Sequence, residues 1–400
     1  MHASGNANAM DWVAGRVTGQ GGDVAPTDES GGAGIAATPK IRVAHVGTGA
    51  TGTEALKGIL RHPDLELVAL WVTAPDKVGR DAGELVGLDP VGIAAVGSLD
   101  AALASKPEVL SYCGNGLGRE DDVIREVSLA LQRGVNVATI SLLGLLYPPA
   151  APPEQRRALK DAAVVGQASF VSTGVDPGFS SDVLPLALLT MADSIEHVRF
   201  QEIGIYDHYD VEPVIRGIMG FGQPPDYAAP ITAGGAFVGY WEGMVRQIAD
   251  RLKLDLDDVV GTSDYAVHDS DLNTSVGLME AGTVVARRIA CEGRVNGHPV
   301  ITAEHVTRMA PEVAPDWPQF DGVGESNYRV TITGNPNIRC DLDLGRSGGV
   351  WGSVSATAMR LVNLIPALVA ARPGLHSALD LPLVPGRRVV VSDARAAVPA

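Results

Sequence analysis

Cysteine is scarce in this 400-residue chain: Cys113, Cys291 and Cys340 stand far apart, with no C-x-x-C among them. That argues against a disulfide framework and a cysteine-rich metal site, and makes a reducing cytoplasm the expected location. The nine histidines show no H-E-x-x-H or other close ligand spacing, so no metal is expected. Basic residues are also few, 31 Lys and Arg against 47 Asp and Glu, and the net charge of −16 leaves no stripe for a phosphate backbone. Nucleic acid is not an expected partner. Nor is a membrane, because Arg372 and Pro373 interrupt the best apolar run, "LVNLIPALVAARPG". The N-terminal stretch lacks the basic start and apolar core of a secretory signal, and residues 1–39 read as a disordered tail.

What remains is a globular composition, 46% hydrophobic and 20% charged, in a chain long enough for two domains. From Ile41 short β-branched runs alternate with amphipathic stretches: "IRVAHV", a helix over Thr53 to Arg61, "LELVALWV", "EVLSYC", "EDDVIREVSLALQRG", "VNVATI", "PEQRRALKDAAVVGQ" and "ASFVSTG". Such alternation predicts βαβ crossovers and a parallel, doubly wound sheet over residues 40–180. Beyond it the rhythm changes. "GTVVARRIACEGRVNGHPVITAEHVTRM" reads as a hairpin turning at Asn296-Gly297, and "NYRVTITGNPNIRCDLDL" as another turning at Gly334 to Asn337. A mostly antiparallel α+β domain over residues 181–350 follows. Residues 351–400 are expected to supply a helix, "SATAMRLVNLIPALVAA", and a tail packing back on the first domain.

One motif carries chemistry. Gly47-Thr48-Gly49-Ala50-Thr51-Gly52 follows the first strand and opens the first helix, the setting in which G-x-G-x-x-G holds the pyrophosphate of a dinucleotide. Gly47 makes the tight turn, Gly49 lets the backbone approach the phosphates, and Gly52 lets helix and strand close up. An NAD site usually offers an acid at the end of the second strand for the ribose 2′-hydroxyl. Here Trp71-Val72-Thr73 stands there instead, with Lys77 and Arg80 downstream to hold a 2′-phosphate. NADP is expected ahead of NAD, although Asp76 and Asp81 dilute that signal.

These segments, with "RGVNVATISLLGLLYP", "STGVDPGFSSDVLPLAL", "IMGFG", "EGRVNGHPVITAEHVTR" and "RLVNLIPALVAARPGLHSALDLPL", resemble the native amine dehydrogenases and 2,4-diaminopentanoate dehydrogenases, relatives of dihydrodipicolinate reductase. The resemblance implies a Rossmann domain joined to an α+β domain whose open sheet helps to form a homodimer, with the nicotinamide between the two. It also implies NAD(P)H-dependent reduction of an imine, or of a ketone plus ammonia, and the reverse oxidative deamination. Two departures matter. Where members carry a Cys-Glu-Glu-Leu-like segment before Tyr-Pro, this chain has the apolar run Leu142 to Leu146 before Tyr147 and Pro148. The K-x-x-x-S-G-T segment of the dicarboxylate reductases is missing, which sets that reaction aside.

Hydride transfer asks the protein to hold a nicotinamide against an acceptor carbon and to supply a proton. Cys113, Gly114 and Asn115, at the carboxyl end of a strand, are candidates to touch the nicotinamide ribose, and Asn115 to act in catalysis. Family members place a candidate acid shortly after this strand; Glu120 is the nearest glutamate, and it equally suits the acidic first turn of a helix. In the family the loop Asp176-Pro177-Gly178 faces the nicotinamide, usually with Asn at the position of Asp176, and Phe179 would wall the substrate pocket. "QEIGIYDHYD" offers His208 as an acid near neutral pH, with Glu202, Tyr206 and Tyr209 beside it. Leu146 and Tyr147 complete the candidate substrate wall. His45, inside the first strand, reads as a core histidine. Gly345 to Gly349 matches G-x-S-x-G but lacks the strand, helix and triad order of a hydrolase.

The expected activity is therefore reductive amination of a small, mainly apolar ketone or aldehyde, or imine reduction, with ammonia as co-substrate. A ketone or cyclic-imine reductase of the same build is the alternative, and a non-catalytic NADP(H)-binding sensor a second one.

Overall fold

A computed structural model describes residues 39–116, 118–207, 209–232, 236–320, 326–345, 350–387 and 389. The expected N-terminal tail falls outside them apart from its last residue. In chain order the first half runs β1 (Ile41–Val46), α1 (Ala50–Arg61), β2 (Leu65–Trp71), α2 (Leu99–Ala104), β3 (Val109–Tyr112), α3 (Glu120–Gln132), β4 (Asn136–Thr139), α4 (Pro153–Gly166), β5 (Ser169–Ser172) and α5 (Val183–Leu189). The second half runs β6 (Ser194–Ile205), α6 (Ala236–Leu252), β7 (Asp258–Val267), β8 (Leu272–Thr274), β9 (Gly277–Met279), β10 (Val284–Val295), β11 (His298–Arg308), β12 (Ser326–Asn335), β13 (Ile338–Leu344), α7 (Gly352–Ala370) and β14 (Gly374–His376).

β1 to β5 form a parallel sheet in the order β5-β4-β3-β1-β2, and β14 returns late in the chain to pair with β5 at its edge. Their short apolar runs are buried on both faces, as parallel strands require. One face is covered by α3 and α4, the other by α1 and α7. α1 begins at Ala50, three residues before the helix expected from the sequence, because Gly49 starts it with no side-chain cap to mark the spot.

α7 also differs from expectation. Its 19 residues, with mean hydropathy 1.4, are long and apolar enough to cross a bilayer, whereas the sequence had suggested that no such run exists. The interruption at Arg372 and Pro373 lies just beyond its end. Its apolar side is instead spent on α1 and the parallel sheet: Ala358, Leu361, Val362, Leu364, Ile365 and Leu368 are all buried there.

The second sheet has the order β13-β12-β6-β11-β10-β7 and is antiparallel except where β6 meets β11. The β10–β11 hairpin turns at Asn296 and Gly297, both at positive φ (51° and 76°), which is what a two-residue turn needs to match strand twist. Val198, Phe200, Ile301, Ala303 and Val330 face α6, packing on Met244, Val245 and Ile248. On the opposite face Glu304 is buried between Arg288 (2.7 Å) and Arg199 (3.5 Å).

Truncating the α7 contact should be costly. Leu361→Ala is expected to lower stability by about 2–5 kcal/mol, read as a shift in the urea midpoint at unchanged slope.

Candidate active site

The turn from β1 to α1 is built around three glycines with different duties. At Gly47 φ is +94°, and a Cβ would lie 2.6 Å from the Cys113 carbonyl oxygen. A Cβ on Gly52 would lie 2.5 Å from the Gly47 carbonyl oxygen, so helix and turn close up only because both side chains are missing. Gly49 is the opposite case: nothing lies within 4 Å of where its Cβ would be, and the backbone there faces open space. Thr53 N–H is bonded to the Gly49 carbonyl (2.8 Å). The N–H groups before it have no partner within the helix, and no side chain caps them. Together with Thr48, Ala50 and Thr51 these form a cradle that fits a pyrophosphate at the positive end of a helix.

His45 locks this turn from below. It is fully buried, with Nδ1 3.0 Å from Ser111 Oγ and Nε2 3.0 Å from the Gly52 carbonyl oxygen. A carbonyl only accepts, so Nε2 carries the proton and Nδ1 accepts from the serine. Burial pushes its pKa down to about 4, keeping it neutral. It is a core histidine that positions the cradle.

Beyond the end of β2, Thr73 is exposed, and Asp76, also exposed, follows it three residues on. Lys77 Nζ donates to Thr48 Oγ1 at 2.8 Å, placing its ammonium over the glycine turn, and Arg80 is exposed on the same segment. Asp81 does not compete with them. Its carboxylate accepts N–H bonds from Val91, Gly83 and Gly92, which hold it below its usual range and fold its own loop. Cys113 lies behind the cradle, where burial pushes its thiol up to about 12. Gly114 accepts from Ser141 Oγ, and Asn115 continues the loop after β3.

A cavity of about 280 Å³ opens between Thr51 of α1, the loop after β5, strands β6 and β11, and helices α6 and α7. Three ionisable groups converge in it: Asp176, Glu202 and His305. Asp176 accepts from Trp241 Nε1 (3.1 Å) and Ser180 Oγ (3.0 Å). Burial, and then the charge of Glu202, push its carboxyl up to about 7. Glu202 accepts from Tyr206 OH (2.6 Å) and lies 3.4 Å from His305 Nε2. Burial would neutralise both members of this pair, but each holds the other charged: the glutamate is kept below, the histidine above, its ordinary value. His305 Nδ1 is 2.7 Å from Thr307 Oγ1. Tyr206, raised well above its usual value by burial and the Glu202 charge, stays a neutral donor. Tyr209, Tyr328 and Tyr240 add aromatic wall, and Val214, Ile218, Met219 and Ile231 an apolar side. Among the described residues no Lys or Arg lines the cavity.

The other candidates lie elsewhere. Leu146 is buried in the core under Gly178, Tyr147 hydrogen-bonds the Asp250 carboxylate, and Phe179 lies under the Arg360 guanidinium at 5.8 Å. Pro177 and Gly178 extend the Asp176 loop, whose Val175 N–H is fixed by Thr357 Oγ1 (3.2 Å). Glu120 opens α3 and accepts from Gly118 N–H (3.2 Å) and Tyr240 OH (3.3 Å). It lines a larger outer groove of about 590 Å³ rather than the cavity. His208 and most of the Gly345 to Gly349 segment lie outside the described residues. The sequence did not single out His305, Trp241 or Tyr328. The one signal for His305 was a polar residue in step with Ile301 and Ala303 on the core side of a strand.

Residues 179–398 match the family model for the 2,4-diaminopentanoate dehydrogenase C-terminal domain. The chain is 39% identical to an amine dehydrogenase of Streptomyces virginiae, over 85% of this chain and 95% of the relative. It is 26% identical to the 2,4-diaminopentanoate dehydrogenase of Acetoanaerobium sticklandii, over 89% and 96% respectively. Among solved structures, that of an amine dehydrogenase from Mycobacterium smegmatis superposes with a TM-score of 0.71 at 20% identity, covering 88% of this chain and 98% of the other, and shares the fold.

The Asp176 environment predicts a pH signature. In the folded state this carboxyl keeps its proton to about pH 7, whereas in an unfolded chain it loses it near the ordinary 3.8. Native protein thus binds more protons over that window, and stability falls as pH rises through it. Asp176→Asn should raise the urea midpoint at pH 8, with the gain fading towards pH 4; a gain independent of pH would contradict the assignment.

Proposed function

The chain belongs to the family of amine dehydrogenases and 2,4-diaminopentanoate dehydrogenases, and from that premise we propose reductive amination as its reaction, with NADP(H) as coenzyme. It is an oxidoreductase acting on amines. A small ketone or aldehyde, ammonium and reduced coenzyme give a primary amine, water and oxidised coenzyme, and the reverse is oxidative deamination. The observation that carries this reading is the Asp176–Glu202–His305 cluster, set in one cavity with Thr51 of the coenzyme helix.

The nicotinamide, when bound, supplies or accepts the hydride at the substrate carbon. The protein's residues handle protons and charge. The Glu202 carboxylate, fixed by His305 and Tyr206, draws the substrate nitrogen as a cation and holds it against the reacting carbon. Asp176, balanced near neutral pH, takes the proton the attacking ammonia must lose and returns one to the departing water. Tyr206 and His305 spend their hydrogen bonds on Glu202 and Thr307, so they act on the substrate through the carboxylate they hold in place. Two carboxylates, and no Lys or Arg among the described residues of the wall, favour uncharged or cationic substrates over 2-oxo acids.

NADP is favoured over NAD by the lack of an acid where β2 ends, at Trp71 to Thr73, by Lys77 over the glycine turn and by exposed Arg80 on the same segment. Asn115 is assigned to the nicotinamide ribose and Glu120 to the outer groove. The reading extends to a cytoplasmic enzyme, which its free described cysteines support, working as a homodimer through the open face of the second sheet.

Initial-rate measurements at 340 nm with NADPH and small ketones should show coenzyme oxidation only when ammonium is present; equal rates in sodium buffer would make it a ketone reductase. Glu202→Gln should lower kcat by about 10²–10⁴-fold with coenzyme affinity intact. Lys77→Ala should weaken NADPH while leaving NADH unchanged; equal loss of both would remove the case for a 2′-phosphate clamp.

A further inference from the structure

The apolar run Leu142 to Leu146 has no part in the chemistry above, yet three of its leucines wall a void. Between the reaction cavity and the outer groove lies a neck of about 30 Å³, lined by Gly116, Glu120, Leu142, Leu143, Leu145 and Tyr240 among others. Leu143 and Tyr240 wall both the neck and the inner cavity, while Glu120, Gly144, Gln155 and Tyr240 wall both the neck and the outer groove. The neck thus shares walls with both larger voids, and Tyr240 is common to all three. Its hydroxyl is held by Glu120 Oε1 at 3.3 Å, tying α6 to the first residue of α3 across the neck.

We propose that ammonia enters the reaction cavity through this neck, and that Tyr240 with Leu143 sets its width; the proposal rests on the reductive-amination reading. The neck's space of about 30 Å³ admits molecules of water's size, such as ammonia. Carboxylates stand at both ends, Glu120 and Asp121 in the groove and Asp176 and Glu202 in the cavity, and the neck between has Leu142, Leu143 and Leu145 on its wall beside Glu120, Ser141, Gln155 and Tyr240. The carboxylates at the two ends attract ammonium, and the three leucines narrow the passage between them. The cavity's other approach is beside Thr51, at the coenzyme helix. A separate side entrance lets ammonia arrive after coenzyme and ketone occupy that approach.

Gly239 offers a clean test, because nothing lies within 4 Å of a Cβ built there and it lines the outer groove next to Tyr240. Gly239→Leu adds a side chain at the outer end in a helix, where leucine is favoured over glycine. Steady-state kinetics on the purified chain should show KM for ammonium raised by about tenfold or more, the scale of a changed apolar group in a pocket. KM for the ketone, coenzyme affinity and melting temperature should stay as in the wild type. Tyr240→Ala should widen the neck and admit methylamine as a nitrogen donor that the wild type excludes. A Gly239→Leu enzyme with unchanged ammonium KM, or with ammonium and ketone KM raised together, overturns the route. Absence of any ammonium dependence in the wild type is a different failure, that of the reaction itself, and it is seen before either variant is made.

Discussion

The reaction cavity depends on one register. In the second sheet His305 of β11 and Tyr328 of β12 both pair with Glu202 of the intervening β6, so a row of three polar residues crosses three strands on the core side. Because side chains alternate along a strand, slipping either pairing by one residue would turn its partner to the other face. Two charges brought in from water would then lose their compensation, at a cost of several kcal/mol for each ion. The hydrophobic pairs along the same strands, Val198 with Ile301 and Phe200 with Ala303, fix the register in which Glu202 and His305 meet. Packing and chemistry are set by the same alignment.

Charge is treated differently in the two halves of this sheet. On the face away from α6, buried Glu304 has an arginine on either side. In the cavity Glu202 has His305 at 3.4 Å, while Asp176 accepts from the neutral donors Trp241 and Ser180. Burial and the charged glutamate outweigh the pull of His305, so this carboxyl keeps its proton to near neutrality. That asymmetry sets the cavity apart from the outer groove, although the groove is the larger space.

Much of this was legible in the residues. The alternation after Ile41, the glycine turn and the Asn296-Gly297 hairpin each carry a local rule that the backbone follows. Glu202, Tyr206 and Tyr209 were legible as a cluster because they are neighbours in sequence at a strand end. His305 was not, since it lies about a hundred positions from Glu202 and meets it only through sheet register. Leu146, Tyr147 and Phe179 read as pocket wall because they are apolar or aromatic near the right loops. Residue type alone does not say which way a side chain points, and these turn to the core, to Asp250 and to Arg360. Asp176 was found in the right loop, but its altered acidity comes from burial and from a charge on another strand.

The late position of α7 and β14 in the chain bears on how the molecule is made. The coenzyme-binding half is written almost entirely before Ser180, but the helix that covers α1 and the strand that pairs with β5 are synthesised after the whole second sheet. A chain still emerging from the ribosome has the glycine turn early, while Leu56 and Ile59 of α1 await their partners on α7. Sequence-distant contacts of this kind slow folding, because the loop must close before the contact can form. The two sheets therefore mature together, and exposed apolar surface on the growing first half is a point at which chaperones would engage.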